Sequence, residues 1–353
     1  MPLIDAASDH PEIAVDHGSA YELAQSVVCY LDEEEAALFP ESSAWRDRLA
    51  ARVSPGLAGK LTLLGGCPFV PMKLIGLATE APPPRDAAAL VTLVRGTPPA
   101  ELVAAALGGP GAGLSAAAAA AEVRRAQAGG RAERRALVAT WLRDLDAAEG
   151  AAAIELLERP AAETKRRLVD ILARWHREVF GPDEAALVAR LAAEAERTAR
   201  LAARLPAGEL LETVTHGVRL ADWSGVRRIL LIPQICMGPW NASTHWGDTL
   251  IIAHPVAPEA GPLDPAQVAR RYKALGDESR LRLLQALARG ERTLAELTQQ
   301  VGLAKSTAHH HLVILRDAGL VASSLEDERR YQLRADAIAA AGEPLQALLR
   351  NEP

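Results

Sequence analysis

The sequence predicts a mainly α protein with small antiparallel β elements. A long helical N-terminal part precedes a compact C-terminal part of short helices closed by a hairpin. Three observations carry this. Alanine is abundant and aromatic residues make up only 4% of the 353-residue chain, a composition that packs helices through small side chains. The stretch HPVAPEAGPLDP, beginning at His254, holds four prolines and a glycine and suits neither a helix nor an inner strand. Beyond it, capping residues and glycine stops recur at short intervals, and two strand-like runs then flank an acidic turn. The expected division is a predominantly helical domain over 1–253 ending in a small sheet, a proline-rich linker over 254–263, and a second domain over 264–353.

Within the first domain, Glu12–Asp16 is a short strand candidate. Ser19 followed by Glu22 forms a capping-box pattern and starts a helix through about Leu31. Ser42, Trp45 and Leu49 open another. Residues 86–95, 98–107 and 115–127 are short helices interrupted at Gly108–Gly113, and 131–149 and 160–179 are longer ones. From Asp183 to Leu205, the residues Leu187, Leu191, Ala195, Thr198, Ala202 and Leu205 recur every three or four positions as one apolar stripe. Thr213–Leu220, Arg227–Ile232 and Thr249–Ala253 then have strand character and form the closing sheet.

No stretch reads as a membrane span: the alanine run Ala116–Ala121 is short, and Arg124 and Arg125 follow it. The opening MPLIDAASDH lacks the basic and apolar regions of a secretion signal. Cys29, Cys67 and Cys236 are widely spaced, which fits a reducing cytoplasm and no disulfide framework. A net charge of −6 opposes general attraction to nucleic acid. Residues 264–353, however, hold thirteen Lys/Arg against twelve Asp/Glu, so any contact with an anionic polymer belongs to a local surface there.

In that C-terminal part, Arg270–Leu275 ends a helix at Gly276. Asp277 caps the next, whose face is Leu281, Leu284 and Leu287 with Leu283 beside it, and Arg289-Gly290 stops it. Thr293 and Glu296 form a capping box that starts a short helix to about Gln300. Val301-Gly302-Leu303 makes a tight turn, and a longer helix runs from about Lys305 to Ala318, ended by Gly319. Two short helices joined by a glycine turn are a helix-turn-helix. At 100° per residue, Ala308, Leu312 and Leu315 face the core, and Ser306, His310, Val313 and Asp317 point away. His309 and Arg316 share one flank, and Thr307 takes the other. A helix presenting Ser, His and Arg suits the major groove of double-stranded DNA. Leu320–Leu325 and Arg329–Leu333, joined through Glu326-Asp327-Glu328, form a wing that aims Arg329 and Arg330 at phosphates.

The segment ALGDESRLRLLQALARGERTLAELTQQVGLAKSTAHHHLVILRDAGLV (274–321) closely resembles the ArsR-type winged-helix regulators, and the likeness continues to about Arg334. The resemblance implies a homodimer on a palindromic operator, acting as a repressor released by an effector. It places Lys305, Ser306, Thr307, His309 and His310 in the DNA-contacting part of the recognition helix. Two departures stand out. Many members carry a metal-binding Cys-x-Cys pair where this chain has Thr293-Leu294-Ala295-Glu296-Leu297, so the thiolate site is absent. The usual Ser cap of the recognition helix is Ala304, a loss of about 0.5–2 kcal/mol unless the helix starts at Ser306. The N-terminal part is similar to uncharacterised domains ahead of winged helices in some long ArsR-like regulators, which implies a sensory or dimerising role. Candidate dimer seams are Val268, Ala269 and Tyr272; Ile338, Leu345, Leu348 and Leu349; and the Leu187–Leu205 stripe.

Trp223, Trp240 and Trp246, with His216, His245 and His254, concentrate in the late sheet region. One reading is a small-molecule effector pocket lined by Trp223, Trp240, His245 and Trp246; the other is an ordinary core. His309, His310 and His311 lie 100° apart on a helix and cannot chelate one ion, so no metal site is expected. His245, His254, Asp248 and Cys236 show no ligand or triad spacing. Without a phosphate loop, dinucleotide fingerprint or zincin motif, no cofactor and no enzymatic activity are expected. The alternative is an enzymatic or protein-interaction domain fused to the winged helix.

Overall fold

A computed structural model describes residues 11–33, 40–109, 114–142, 145, 147–220, 225–257, 265–324 and 330–350. The chain forms two compact units. The N-terminal unit takes residues up to Arg200 together with Gly225–Val256, and the C-terminal unit takes Leu201–Ser224 with the chain from Ala257 on.

The N-terminal unit opens with β1 (Glu12–Val15) and α1 (Ser19–Leu31). Next come α2 (Pro40–Ala50), α3 (Pro55–Gly65), α4 (Phe69–Ala78), α5 (Ala87–Gly96) and α6 (Pro99–Ala106). They are followed by α7 (Ala116–Ala128), α8 (Arg131–Trp141), α9 (Ala147–Glu158), α10 (Ala161–Trp175) and α11 (Gly181–Ala202). Local chemistry sets many of the starts. Ser54, Asp86 and Ser115 cap α3, α5 and α7 by accepting from the N–H groups of Leu57, Ala89 and Ala118. Between α10 and α11, His176–Phe180 form one π turn, and the Arg52 guanidinium donates to the Val179 carbonyl there at 2.9 Å.

Several expectations change. The helix expected over 131–149 is two, because the pattern breaks at Leu142. Ser19 is the first residue of α1 rather than its cap; its hydroxyl donates to Glu184 at 2.5 Å and accepts from the Ala87 N–H at 3.0 Å. Glu22, the other half of the expected capping box, is fully buried and reaches the far end of a strand instead. The apolar stripe faces inward, with Leu187, Leu191, Ala195 and Thr198 buried, which closes them to a partner chain.

The unit's sheet adds β3 (Arg228–Gln234), β4 (Ala242–Trp246) and β5 (Thr249–Pro255) in the order β1-β3-β5-β4. It is mixed rather than wholly antiparallel: β1, β3 and β5 run parallel, and only β4 runs against β5. The physical reason is burial on both faces. Ile229, Leu230, Leu231 and Ile232 on β3, and Leu250, Ile251, Ile252 and Ala253 on β5, are all buried, the continuous apolar run of an inner parallel strand. The β4–β5 hairpin closes through Gly247-Asp248, with Gly247 at φ 60°. His254 and Pro255, expected in the linker, are the last two residues of β5.

The C-terminal unit begins with α12 (Ala207–Val214) and the two-residue β2 (Val218–Arg219), where one strand had been expected over Thr213–Leu220. Its remaining elements are α13 (Pro265–Leu275), α14 (Glu278–Leu287), β6 (Arg292–Thr293), α15 (Leu294–Val301) and α16 (Lys305–Asp317). Then follow β7 (Val321–Ser324), β8 (Arg330–Leu333), α17 (Ala335–Ala339) and α18 (Glu343–Arg350). Leu283, Leu287, Leu297, Leu312, Leu315, Leu320, Val321 and Tyr331 make its core. The sheet order is β2-β7-β8-β6, so β2, drawn from residues ahead of the expected boundary, pairs in parallel with β7. The Ser323 N–H donates to the Gly217 carbonyl at 2.8 Å. Glu212 pairs with Arg219 at 2.9 Å and with Arg334 at 3.5 Å.

Candidate nucleic-acid interface

Helix α15 starts at a reciprocal cap. The Thr293 hydroxyl accepts from the Glu296 N–H at 3.2 Å, and the Glu296 carboxylate accepts from the Thr293 N–H at 2.7 Å. That second bond holds the Glu296 carboxyl below its ordinary range. The helix ends at Gly302, whose φ of 74° is left-handed and favours glycine. Two residues later α16 begins, and its position follows from its neighbours: Leu297 of α15 and Leu312 and Leu315 of α16 meet Leu283 and Leu287 of α14 in one core. Each such side chain contributes about 1.5–3 kcal/mol by leaving water.

At the start of α16, Ala304 occupies the cap position in an extended conformation and makes no side-chain cap bond. The helix begins at Lys305, so Ser306 lies inside the first turn and does not cap it. The first amide groups are therefore open to an outside acceptor. Lys305, Ser306 and Thr307 are exposed around them. This turn combines a positive side chain, two hydroxyls and the positive end of the helix dipole, the set that receives a phosphate oxygen.

His309 and His310 are half-buried one turn further along. Desolvation, then Arg280, push the His310 imidazole below its ordinary range. Desolvation also lowers the adjacent His311, against the opposing pull of Asp277. Both rings are thus neutral at pH 7 and offer one donor and one acceptor nitrogen each. Asp277 caps α14, accepting from the Arg280 N–H at 2.9 Å.

Arg316 requires a correction. It was expected on an exposed flank, but it is only 6% exposed, and Val313, expected outward, is 3% exposed. After Gly319, at φ 72°, the chain turns back into β7, which packs along α16 and widens its buried arc in the last turns. Arg316 is therefore not a free hand for DNA. In the wing, Arg330 opens β8 half-buried, its N–H donating to the Ser324 hydroxyl at 2.9 Å. Arg329 and the wing turn lie outside the described residues.

The expected aromatic pocket is not assembled. His245 and Trp246 are successive residues of β4 and point to opposite faces. His245 is exposed, while the Trp246 ring lies on Gly76 of α4 and its indole N–H donates to Glu80 at 3.0 Å. Trp240 is half-buried in the β3–β4 connection, and Trp223 lies outside the described residues. Sequence reading missed α12 and the pairing of β2 with β7, for which there is no local signal.

Comparison with known proteins agrees with this geometry. The family model described as "Bacterial regulatory protein, arsR family" matches residues 277–323. A probable mercury resistance operon repressor of Streptomyces lividans is 39% identical over 20% of this chain and 56% of its own length. The transcriptional repressor SmtB homolog of Synechocystis sp. is 45% identical over 19% of this chain and 51% of its own. The HTH-type transcriptional regulator CmtR of Mycobacterium tuberculosis is 38% identical over 23% of this chain and 71% of its own. The chain thus spans about half the length of the first two relatives. No solved structure gives a significant match. With α15, the glycine turn, α16 and the β7–β8 pair in this arrangement, the chain belongs to the arsR family of bacterial regulatory proteins.

Proposed function

We propose that the protein is a sequence-specific DNA-binding transcriptional regulator, acting as a homodimeric repressor on a palindromic operator and released by a small-molecule effector held in the N-terminal unit. The observation that carries the DNA reading is the uncapped first turn of α16, with Lys305, Ser306 and Thr307 exposed on a helix whose partner is firmly capped. The open amides take a backbone phosphate and fix the register; His309 and His310 then reach base edges, His310 as a neutral hydrogen-bonding ring. Arg330, and Arg329 beside it, supply the wing's charge.

The dimer reading is supported by α13 and α18. Tyr272, Leu345 and Leu349 are exposed by 37%, 36% and 76%; the two helices pack together, and the Tyr272 hydroxyl donates to the Ala341 carbonyl just ahead of α18 at 3.2 Å. A twofold dimer through this face would carry two recognition helices about 34–36 Å apart, the spacing of successive major grooves.

The experiment is fluorescence anisotropy of the full chain on duplexes from its own promoter region and on scrambled duplexes, across a salt series, with light scattering on the same samples. Tight binding to one inverted repeat by a dimer is expected. A monomer at tens of micromolar, or equal affinity for scrambled DNA, overturns the proposal. Leu349→Asp is expected to give a monomer with sharply weaker operator binding.

A further inference from the structure

Helices α8 and α9 pack against each other. Between them lies a cavity of about 370 Å³, lined among others by Arg131, Arg135, Val138, Leu142, Ala151 and Ile154. That volume is at the small end of the roughly 300–1,000 Å³ that small-molecule sites span. Its walls join two chemistries. Val138, Leu142, Ala151 and Ile154 are apolar. Arg131 and Arg135 lie one helical turn apart on α8, close enough to act on one anionic group.

These two arginines differ from their neighbour. Arg134 is occupied: it donates to the carbonyls of Gln127 and Gly129 at 3.2 and 3.1 Å and pairs with Glu158 at 3.8 Å. Arg131 and Arg135 have no hydrogen-bond or ion-pair partner among the described residues. A guanidinium presents a planar fork that matches a carboxylate or sulfonate, and two of them strongly disfavour a cationic guest. The apolar walls in turn disfavour a small, fully hydrated inorganic ion, because they offer it nothing in exchange for its water.

We propose that this groove binds a small amphipathic monoanion, a carboxylate or sulfonate on an apolar body. The head lies on Arg131 and Arg135, and the body lies against Val138, Leu142 and Ile154. That such a ligand is the effector rests on the reading above; the binding itself does not.

The test uses the full chain, with octanoate followed by calorimetry and 8-anilinonaphthalene-1-sulfonate followed by fluorescence. Saturable one-site binding of both is expected, with octanamide at least tenfold weaker and octylammonium not bound. Arg131→Ala and Arg135→Ala are each expected to weaken octanoate at least tenfold, while Arg124→Ala on α7 leaves it unchanged. Ala151→Trp is expected to block both probes, with circular dichroism and melting confirming an intact fold. Absence of saturable binding for both probes, or unaltered affinity in the Arg131→Ala/Arg135→Ala double variant, overturns the site. Repeating the promoter-DNA titration with octanoate separates the two claims. Binding without a change in DNA affinity upholds the site and removes its role as effector site; release from DNA upholds both.

Discussion

The carboxylate of Glu22 on α1 accepts the backbone N–H of Cys236 at 2.5 Å and that of Ile235 at 3.0 Å, joining the first turn of a helix to the end of β3 inside the core. Burial, the dominant cause, raises the Glu22 carboxyl above its ordinary value, while the bonds from Cys236 and Ile235 pull it back down. The folded chain therefore binds this proton more tightly than the unfolded chain, whose value is about 4.3. The resulting stability is complete below that pH and is lost as pH rises through the folded value. Glu22→Gln keeps an acceptor oxygen and is expected to melt within a few degrees of the native chain while flattening this part of the pH profile. Glu22→Ala strands two buried donors and is expected to cost about 2–4 kcal/mol. Equal melting of the two variants in thermal denaturation would refute the account.

Lys305 and Arg316 sit on the same helix and should fail differently. Lys305→Ala is expected to leave the melting temperature unchanged, weaken all duplexes alike, and lower the salt slope by about one. Arg316 is buried, so Arg316→Ala is expected to lower the melting temperature first, and DNA affinity only through the fold. Anisotropy and melting on the same preparations read both. A normal melting temperature for Arg316→Ala with lost binding would restore it to the DNA face.

His310 and His311 give a second pH dependence of opposite sign. Their folded values lie below the ordinary imidazole value of about 6.5. Stability from the neutral rings is present above that pH and declines as pH falls through the folded values, because the unfolded chain takes up the protons first. Replacing both by Gln is expected to remove the loss of stability that sets in as pH falls below about 6.5. Urea titrations of the two proteins across that window provide the check.

The three thiols should be silent. Cys29, Cys67 and Cys236 are all buried, and burial pushes Cys29 and Cys67 up to about 12 and Cys236 well above its ordinary value. Ellman's reagent at pH 8 is expected to label none in the native chain and all after denaturation. Rapid labelling of a native thiol contradicts this.

Gly217 holds the edge of the wing sheet. At φ 107° it occupies a conformation that side chains avoid, and an added Cβ would meet the Val321 carbonyl oxygen at 3.2 Å. Gly217→Ala is expected to cost about 1–3 kcal/mol. Hydrogen exchange should show the Ser323 amide, which donates to the Gly217 carbonyl, losing protection before other wing amides. Unchanged protection at Ser323 would mean that the β2–β7 pair carries no stability.

The parts legible in the sequence are those whose causes are local. Asp277, Thr293 with Glu296, Gly302 and Gly319 each act within four residues, and they marked the starts of α14 and α15 and the ends of α15 and α16. The β3 run was legible as a strand but was assigned to an antiparallel sheet, although its unbroken apolar character already carried the parallel arrangement. Ser19 and Glu22 have the spacing of a capping box yet serve distant partners, Glu184 and Cys236, which no local pattern reveals. Helical angle alone put Val313 and Arg316 outside, because the strand that buries the end of α16 is not part of the helix. Arg131 and Arg135 gave no signal in a chain with many helical arginines; the cavity beside them distinguishes them.

The order in which the chain is made matters for a molecule whose second unit takes Leu201–Ser224 out of the middle of its first. A ribosome releases β1 long before β3 arrives to pair with it, and it releases α12 and β2 before β3. Those two elements must then wait until β7, near the end of translation, supplies their edge. Neither unit is finished while the other is unstarted, and such distant pairings close slowly. A stalled or prematurely terminated message would leave an unpaired strand and an exposed helix on an otherwise complete N-terminal unit, material for chaperones and proteases. A nascent chain cut short after Val256 therefore carries α12 and β2 without the strand that pairs with them.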